Sequence, residues 1–181
     1  MSIGLKKNLV VLEPHQAEWD AEGAATCRKI RELLGDDVVD VQHVGSTSIK
    51  WISAKPIIDI AVAVRSFQDI FKHNEELAAN GIVYHKQDIP GQQLYRCGDL
   101  ENEIVTHFIH VVIYNSEAWH NYINFRDYLN ANPEDARSYE QLKIELCSKY
   151  PDDRISYVDG KKELVDELLA KAKRWKENEC T

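Results

Sequence analysis

Apolar positions in the first two thirds of the chain switch between a helical period and a period of two; in the last third the helical period alone remains. Trp19, Gly23, Cys27, Ile30 and Leu34 fall three or four apart, so His15–Leu34 predicts an amphipathic helix closed by Gly35. Val38–Val44 is short and β-branched and predicts a strand. Gly45-Ser46-Thr47-Ser48 breaks it, and a helical turn is expected toward Ala54. Lys55-Pro56 returns the backbone to extended, because the residue before proline avoids the helical region. Ile57–Val64, IIDIAVAV, is the strongest strand. Its alternation puts Ile58, Ile60, Val62 and Val64 on one face and Asp59, Ala61 and Ala63 on the other.

A serine cap at Ser66 and an acidic first turn open the next predicted helix, which Gly81 ends. Ile82–Lys86 is a moderate strand. Gln92–Cys97 and Glu103–Tyr114 predict two further strands, joined through Gly98-Asp99 and antiparallel. Everything after Asn115 is helical: Ser116–Asn130, a second helix opened by Asn132-Pro133-Glu134-Asp135, and a last one running to about Trp175. No repeat, low-complexity tract or linker divides the chain. Residues 1–181 are therefore expected to form one α+β domain, a mixed sheet with flanking helices and a helical C-terminal part.

Composition narrows the partners. With 44% apolar and 29% charged residues, the 181-residue chain can bury a core without disulfide staples. Its 22 basic against 30 acidic residues give a net charge of −8, a field that repels nucleic-acid backbones and anionic lipid. An anionic ligand then needs a local basic patch. No apolar run approaches the ~20 residues of a membrane span, and the N-terminus lacks the pattern of a signal peptide. Cys27, Cys97, Cys147 and Cys180 are scattered and expected to be reduced thiols in a cytoplasmic protein.

The chemistry concentrates in Val41–Val64. Gly45 lets backbone amides approach a ligand, Ser46 offers a hydroxyl, and a following helix N-terminus would attract phosphate. Asp59 stands among apolar strand residues and needs a metal, a base or strong hydrogen bonds; Lys55 or a nearby amide would also satisfy it. Thr106-His107-Phe108-Ile109-His110 puts two histidines on opposite faces of one strand. Lys55 and Arg96 are the cations expected to reach a phosphate. His43 is a further candidate or a strand-end cap. Trp51, Tyr95, Trp119 and Tyr128 could stack a base, although aromatics at such spacing usually form core.

Gly45-Ser46 followed by Asp59 resembles the G-S…D-h-[D/E] pattern of the nucleotidyltransferase fold. HVGSTSIKWISAKPIIDI, with FRDYL at Phe125, YEQLK at Tyr139 and YVDGK at Tyr157, resembles the GrpB-type (glutamate-rich protein) family in order from about residue 10 to 175. The resemblance implies a nucleotidyltransferase-like mixed sheet, and related domains occur attached to dephospho-coenzyme A kinases. Phosphate binding is expected at Gly45, Ser46 and Lys55, which lie in the matching block, and at Arg96, which is put forward on its chemistry alone. A divalent ion, Mg²⁺ or Mn²⁺ with Zn²⁺ as the alternative, would sit at Asp59 and His110, the latter matching a histidine usual in the family. Arg126, Lys143 and Lys161 lie in the matching blocks but read as paired or solvated helix cations.

Two departures matter. Lys50-Trp51 stands where the family usually has Pro-Gly, and the second carboxylate of the motif falls on Ala61. Two-metal phosphoryl transfer needs several carboxylates to hold ions ~3.5–4 Å apart. Three functions follow for a small-molecule nucleotide or phosphorylated ligand. One is metal-assisted transfer of a nucleotidyl or related phosphoryl group. Another is a non-catalytic binding module. The third is a single-metal enzyme of other chemistry, built on Asp59 and His110.

Overall fold

A computed structural model describes residues 3–87 and 89–179. The strongest strand is central. β3 (Ile58–Val64) pairs antiparallel with β2 (Val38–Val44) and parallel with β7 (His107–Ile113). β5 (Gln92–Cys97) and β4 (Val83–Lys86) continue outward from β7, both antiparallel, giving the order β2-β3-β7-β5-β4. The sheet is mixed, as expected, and the fold is α+β.

Alternation along β3 divides the molecule into two packed layers. Ile58, Ile60, Val62 and Val64 are fully buried, packing with Ile30 and Leu34 of α1 (Ala17–Leu34) and with Tyr95, Ile109 and Val111. Ala61 and Ala63 face the other way, small enough for Trp119 to pack against them with Val44 and Val112. Trp119 belongs to α4 (Glu117–Ala131), capped by Ser116, whose Oγ accepts from the Trp119 amide at 3.3 Å. Behind α4 lie α5 (Pro133–Lys149), with proline in its first turn, α6 (Arg154–Asp159) and α7 (Lys162–Glu179). Tyr128, Leu129, Tyr139, Leu168 and Ala172 close a second core there with Ile49 and Ile52.

Three expectations are corrected. The helix predicted from Ser66 to Gly81 divides into α2 (Phe67–Phe71) and α3 (Asn74–Ala79). Between them, Lys72 and His73 both reach Asp37, at 2.7 and 2.9 Å. The strand predicted over 103–114 breaks at Thr106, whose amide donates to the Cys97 carbonyl at 2.8 Å. Its first part, β6 (Ile104–Val105), pairs instead with the unpredicted β1 (Leu5–Lys6) as a separate ribbon. The helical turn expected toward Ala54 is a single 3₁₀ turn, Ser46–Ser48, and Ala54 bridges to Glu13.

Cys27, Cys97 and Cys147 are free thiols, and burial pushes the first two up to about 11; Cys180 lies outside the described residues. Among the described residues no helix is long and apolar enough to cross a membrane.

Candidate functional site

Val44 lies opposite Asp59 across β2 and β3, so the chain leaving β2 turns directly over the carboxylate. Gly45 makes that turn at φ 70°, and a Cβ there would stand 2.6 Å from Asp59 Oδ2. Conformation and space both require glycine. The Ser48 hydroxyl then donates to the Gly45 carbonyl at 2.6 Å, fixing the loop, and Ser46 Oγ stands 3.4 Å from the Tyr139 hydroxyl. The 3₁₀ turn is too short to supply the helix N-terminus expected after Ser46.

His110 sits beside Ala61 in the parallel register, on the Asp59 face of the sheet. Its Nε2 is 2.9 Å from Asp59 Oδ1, and its Nδ1 is 3.3 Å from Gln92 Nε2. The Tyr122 hydroxyl donates to Gln92 Oε1 at 2.5 Å. With the Gln92 amide donating to Nδ1, the proton of a neutral His110 sits on Nε2 and points at Asp59. Burial pushes the Asp59 carboxyl up, but the His110 hydrogen bond and charge, with Lys55 and Arg154, outweigh it and hold the group below the usual range.

Asp59, His110, Gly45 and Ser46 open onto one cavity of about 630 Å³ between the sheet and the C-terminal helices. Five cations line it, Lys162 and four that are each set over an aromatic face. Lys55 and Lys161 lie 5.1 and 4.7 Å from the Tyr157 ring, Lys143 4.8 Å from Tyr139, and the Arg154 guanidinium 5.2 Å from Phe108. Among the described residues none of the four pairs with a carboxylate. Lys143 is 1% exposed, and its ammonium donates to the Ser53 carbonyl. Burial, then repulsion from Lys161, lowers it to about 7. Burial and the charges of Arg154 and Lys161 likewise take Lys55 well below the ordinary lysine value.

The structure thus gathers Gly45, Ser46, Lys55, Asp59 and His110. Arg96 does not line this cavity; its Nε is buried and lacks a hydrogen-bond partner among the described residues. His43 faces α1, where Gly23 leaves room for its ring; it contacts Thr47 at 2.9 Å, and burial lowers it to about 4. His107 points to the opposite face, 3.2 Å from Thr26. Arg126 binds Asp127, Gln42 and the His43 carbonyl, a structural tie between α4 and β2. Trp51 is 64% exposed, while Tyr95, Trp119 and Tyr128 belong to the cores. Sequence reasoning missed Arg154 and undervalued Lys143. A signal for the latter existed: Lys143 falls on the stripe of Tyr139 and Leu146, four before and three after.

The GrpB protein family matches residues 9–171, nearly the whole sheet and helical layer that form the cavity. The chain belongs to the GrpB family. Glutamate-rich protein GrpB of Alkalihalophilus pseudofirmus is 42% identical over 170 residues, covering 92% of this chain and 98% of that one. The crystal structure of GrpB from Enterococcus faecalis superposes with a TM-score of 0.83 at 27% identity, covering 91% of this chain and 99% of its own. The Cid1 poly(U) polymerase with MgGTP bound aligns at a TM-score of 0.52 and 16% identity, over 75% of this chain and 44% of the polymerase. At that identity the likeness is one of fold alone: the sheet and helices have a nucleotidyltransferase-like arrangement.

Among the described residues no three His, Cys, Asp or Glu side chains gather as a metal site. Asp59 and His110 engage each other, Ala61 fills the place of a second carboxylate, and Lys55 and Arg154 act electrostatically on Asp59. This donor set does not fit a two-ion centre, and a single dication would compete there with fixed cations.

Proposed function

We propose that the cavity binds a nucleotide or another phosphorylated small molecule, with the phosphates held by Lys55, Lys143, Arg154, Lys161 and the Ser46 hydroxyl. The non-phosphate part would lie against the aromatic wall of Phe108, Tyr122, Phe125 and Tyr139, all of which line the same space. One observation carries this reading: unpaired cations converge on a single cavity in a chain whose net charge is −8. Such a patch opposes the global field, and among the described residues no carboxylate forms an ion pair with Lys55, Lys143, Arg154 or Lys161 to balance it. A nucleotide panel, with coenzyme A precursors, is expected to raise the melting temperature. At 100 times the dissociation constant, linkage gives about 2.7 kcal/mol, roughly 5–10 °C for a chain of this size. A flat response across the panel, with and without Mg²⁺, Mn²⁺ or Zn²⁺, would sink the reading.

A second reading, transfer of a nucleotidyl or phosphoryl group to a small acceptor, is supported by the Asp59–His110 pair at the floor of that cavity. A carboxylate oriented by an imidazole beside a phosphate cradle can accept the proton of an attacking hydroxyl. His110 would position Asp59, and Gln92 and Tyr122 would fix the tautomer of His110. Product analysis separates the readings: turnover that disappears in Asp59→Asn while ligand binding persists supports transfer, and binding without turnover supports the module.

A further inference from the structure

We propose that the cavity takes its polyphosphate ligand free of divalent metal, with Lys55, Lys143, Arg154 and Lys161 supplying the charge neutralisation. The inference rests on the phosphorylated-ligand reading and specifies the form in which the ligand enters. Its ground is the balance of fixed charge. Five cationic side chains line the cavity, the four above and Lys162, against the two carboxylates Asp59 and Asp159, a formal excess of three positive charges once an anion has drawn the buried lysines into their charged form, before any charge on His110 is counted.

A divalent ion placed at Asp59 would add two charges to that excess. Its protein donors would be one carboxylate and one imidazole already bonded to each other at 2.9 Å. A free polyphosphate instead cancels the excess. The cations are also built to receive it. Lys55, Lys143, Arg154 and Lys161 each lie over an aromatic face, not against a carboxylate, so binding an anion breaks no ion pair. Ala61, fully buried under α4, removes the group on which a second ion would depend. Arg154, with its planar fork, suits two phosphate oxygens at once, while the lysines act as point charges.

The experiment is isothermal titration of the full chain with tripolyphosphate and with nucleoside triphosphates, first in excess EDTA and then in excess Mg²⁺. Binding in EDTA is expected to be at least as tight as in Mg²⁺. Lys161→Ala and Arg154→Ala should each weaken it about ten-fold or more, since each removes a charge-assisted contact. Asp59→Asn should tighten it, because the carboxylate repels the ligand. A ten-fold preference for Mg²⁺, with binding lost in Asp59→Asn, would overturn the metal-free form and leave the phosphorylated-ligand reading standing. No binding in either condition would overturn both. Lys143 is buried, so its truncation to alanine would leave a void in the core; Lys161 and Arg154 are partly exposed, and circular dichroism of their alanine variants confirms that the test is made on folded protein.

Discussion

Lys143 states the cost of the site in a single residue. A lysine 1% exposed and lowered to about 7 loses favourable hydration in the folded state. The sign follows: the unfolded chain holds that proton up to about pH 10.4 and the folded chain releases it near 7. Stability should therefore climb between pH 7 and 10 and fall as pH drops through that window. Lys143→Met is expected to lessen the climb, to which the buried Lys55 also contributes, and to stabilise the protein at pH 6 by of order 3 kcal/mol, the deprotonation cost less the lost ammonium contacts. It should at the same time weaken phosphate binding. Chemical denaturation across that range checks it; a variant less stable at pH 6 would mean that the ammonium is structurally satisfied. Gly45→Ala should cost about 1–3 kcal/mol, from the left-handed backbone and the contact with Asp59, read as a lower denaturation midpoint. Asp59 and His110 were legible as chemistry because strand alternation assigns a face to each. Arg154 was not, since nothing in a six-residue helix fixes which way its first residue points.

At the level of elements, regular periods were readable and short irregular pieces were not. β3 and α1 declare themselves through unbroken periods of two and 3.6, and each observed element matches the predicted span to within two residues. β1 and β6 pair over two residues each, too few for any pattern to register. α6 is the functional example. Its six residues carry Arg154 and Tyr157 into the cavity, and Asp153 holds its start by accepting from the Ser156 amide at 3.1 Å and from the Ser156 hydroxyl at 2.6 Å. So short a helix gains little from propagation and depends on its cap and packing. Asp153→Ala is expected to cost about 1 kcal/mol of global stability, yet to weaken phosphate binding by more than that loss explains, because the cap positions Arg154. Titration with tripolyphosphate beside a denaturation curve tests this. Affinity unchanged at the reduced stability would remove α6 from the binding surface.

Across the whole molecule, a net charge of −8 surrounds a cavity whose lining is cationic, and the two are coupled through protons. Lys143 faces Lys161, Glu140, the Tyr139 ring and the Ser53 carbonyl, with Lys55 and Arg154 on the same cavity wall. In the empty cavity, burial and Lys161 favour its neutral amine above about pH 7. A bound polyphosphate reverses the local field and favours the ammonium, so binding at pH 8 should take up protons. Affinity for a nucleotide should then fall as pH rises from 7.5 to 9.5, a window above the ionisation near pH 6 of a phosphate ester, so that the ligand itself hardly changes charge. Metal-bridged binding would lack this signature, because a dication does not need the lysine charged. Isothermal titration in two buffers of different ionisation enthalpy measures the protons directly. Uptake at pH 8 that is much reduced in Lys143→Met supports the arrangement, while pH-independent affinity over the same window would place the ligand elsewhere in the cavity, out of reach of α5. Raising salt from 0.05 to 0.5 M should weaken binding less than for a surface patch, since charges enclosed between sheet and helices are poorly screened.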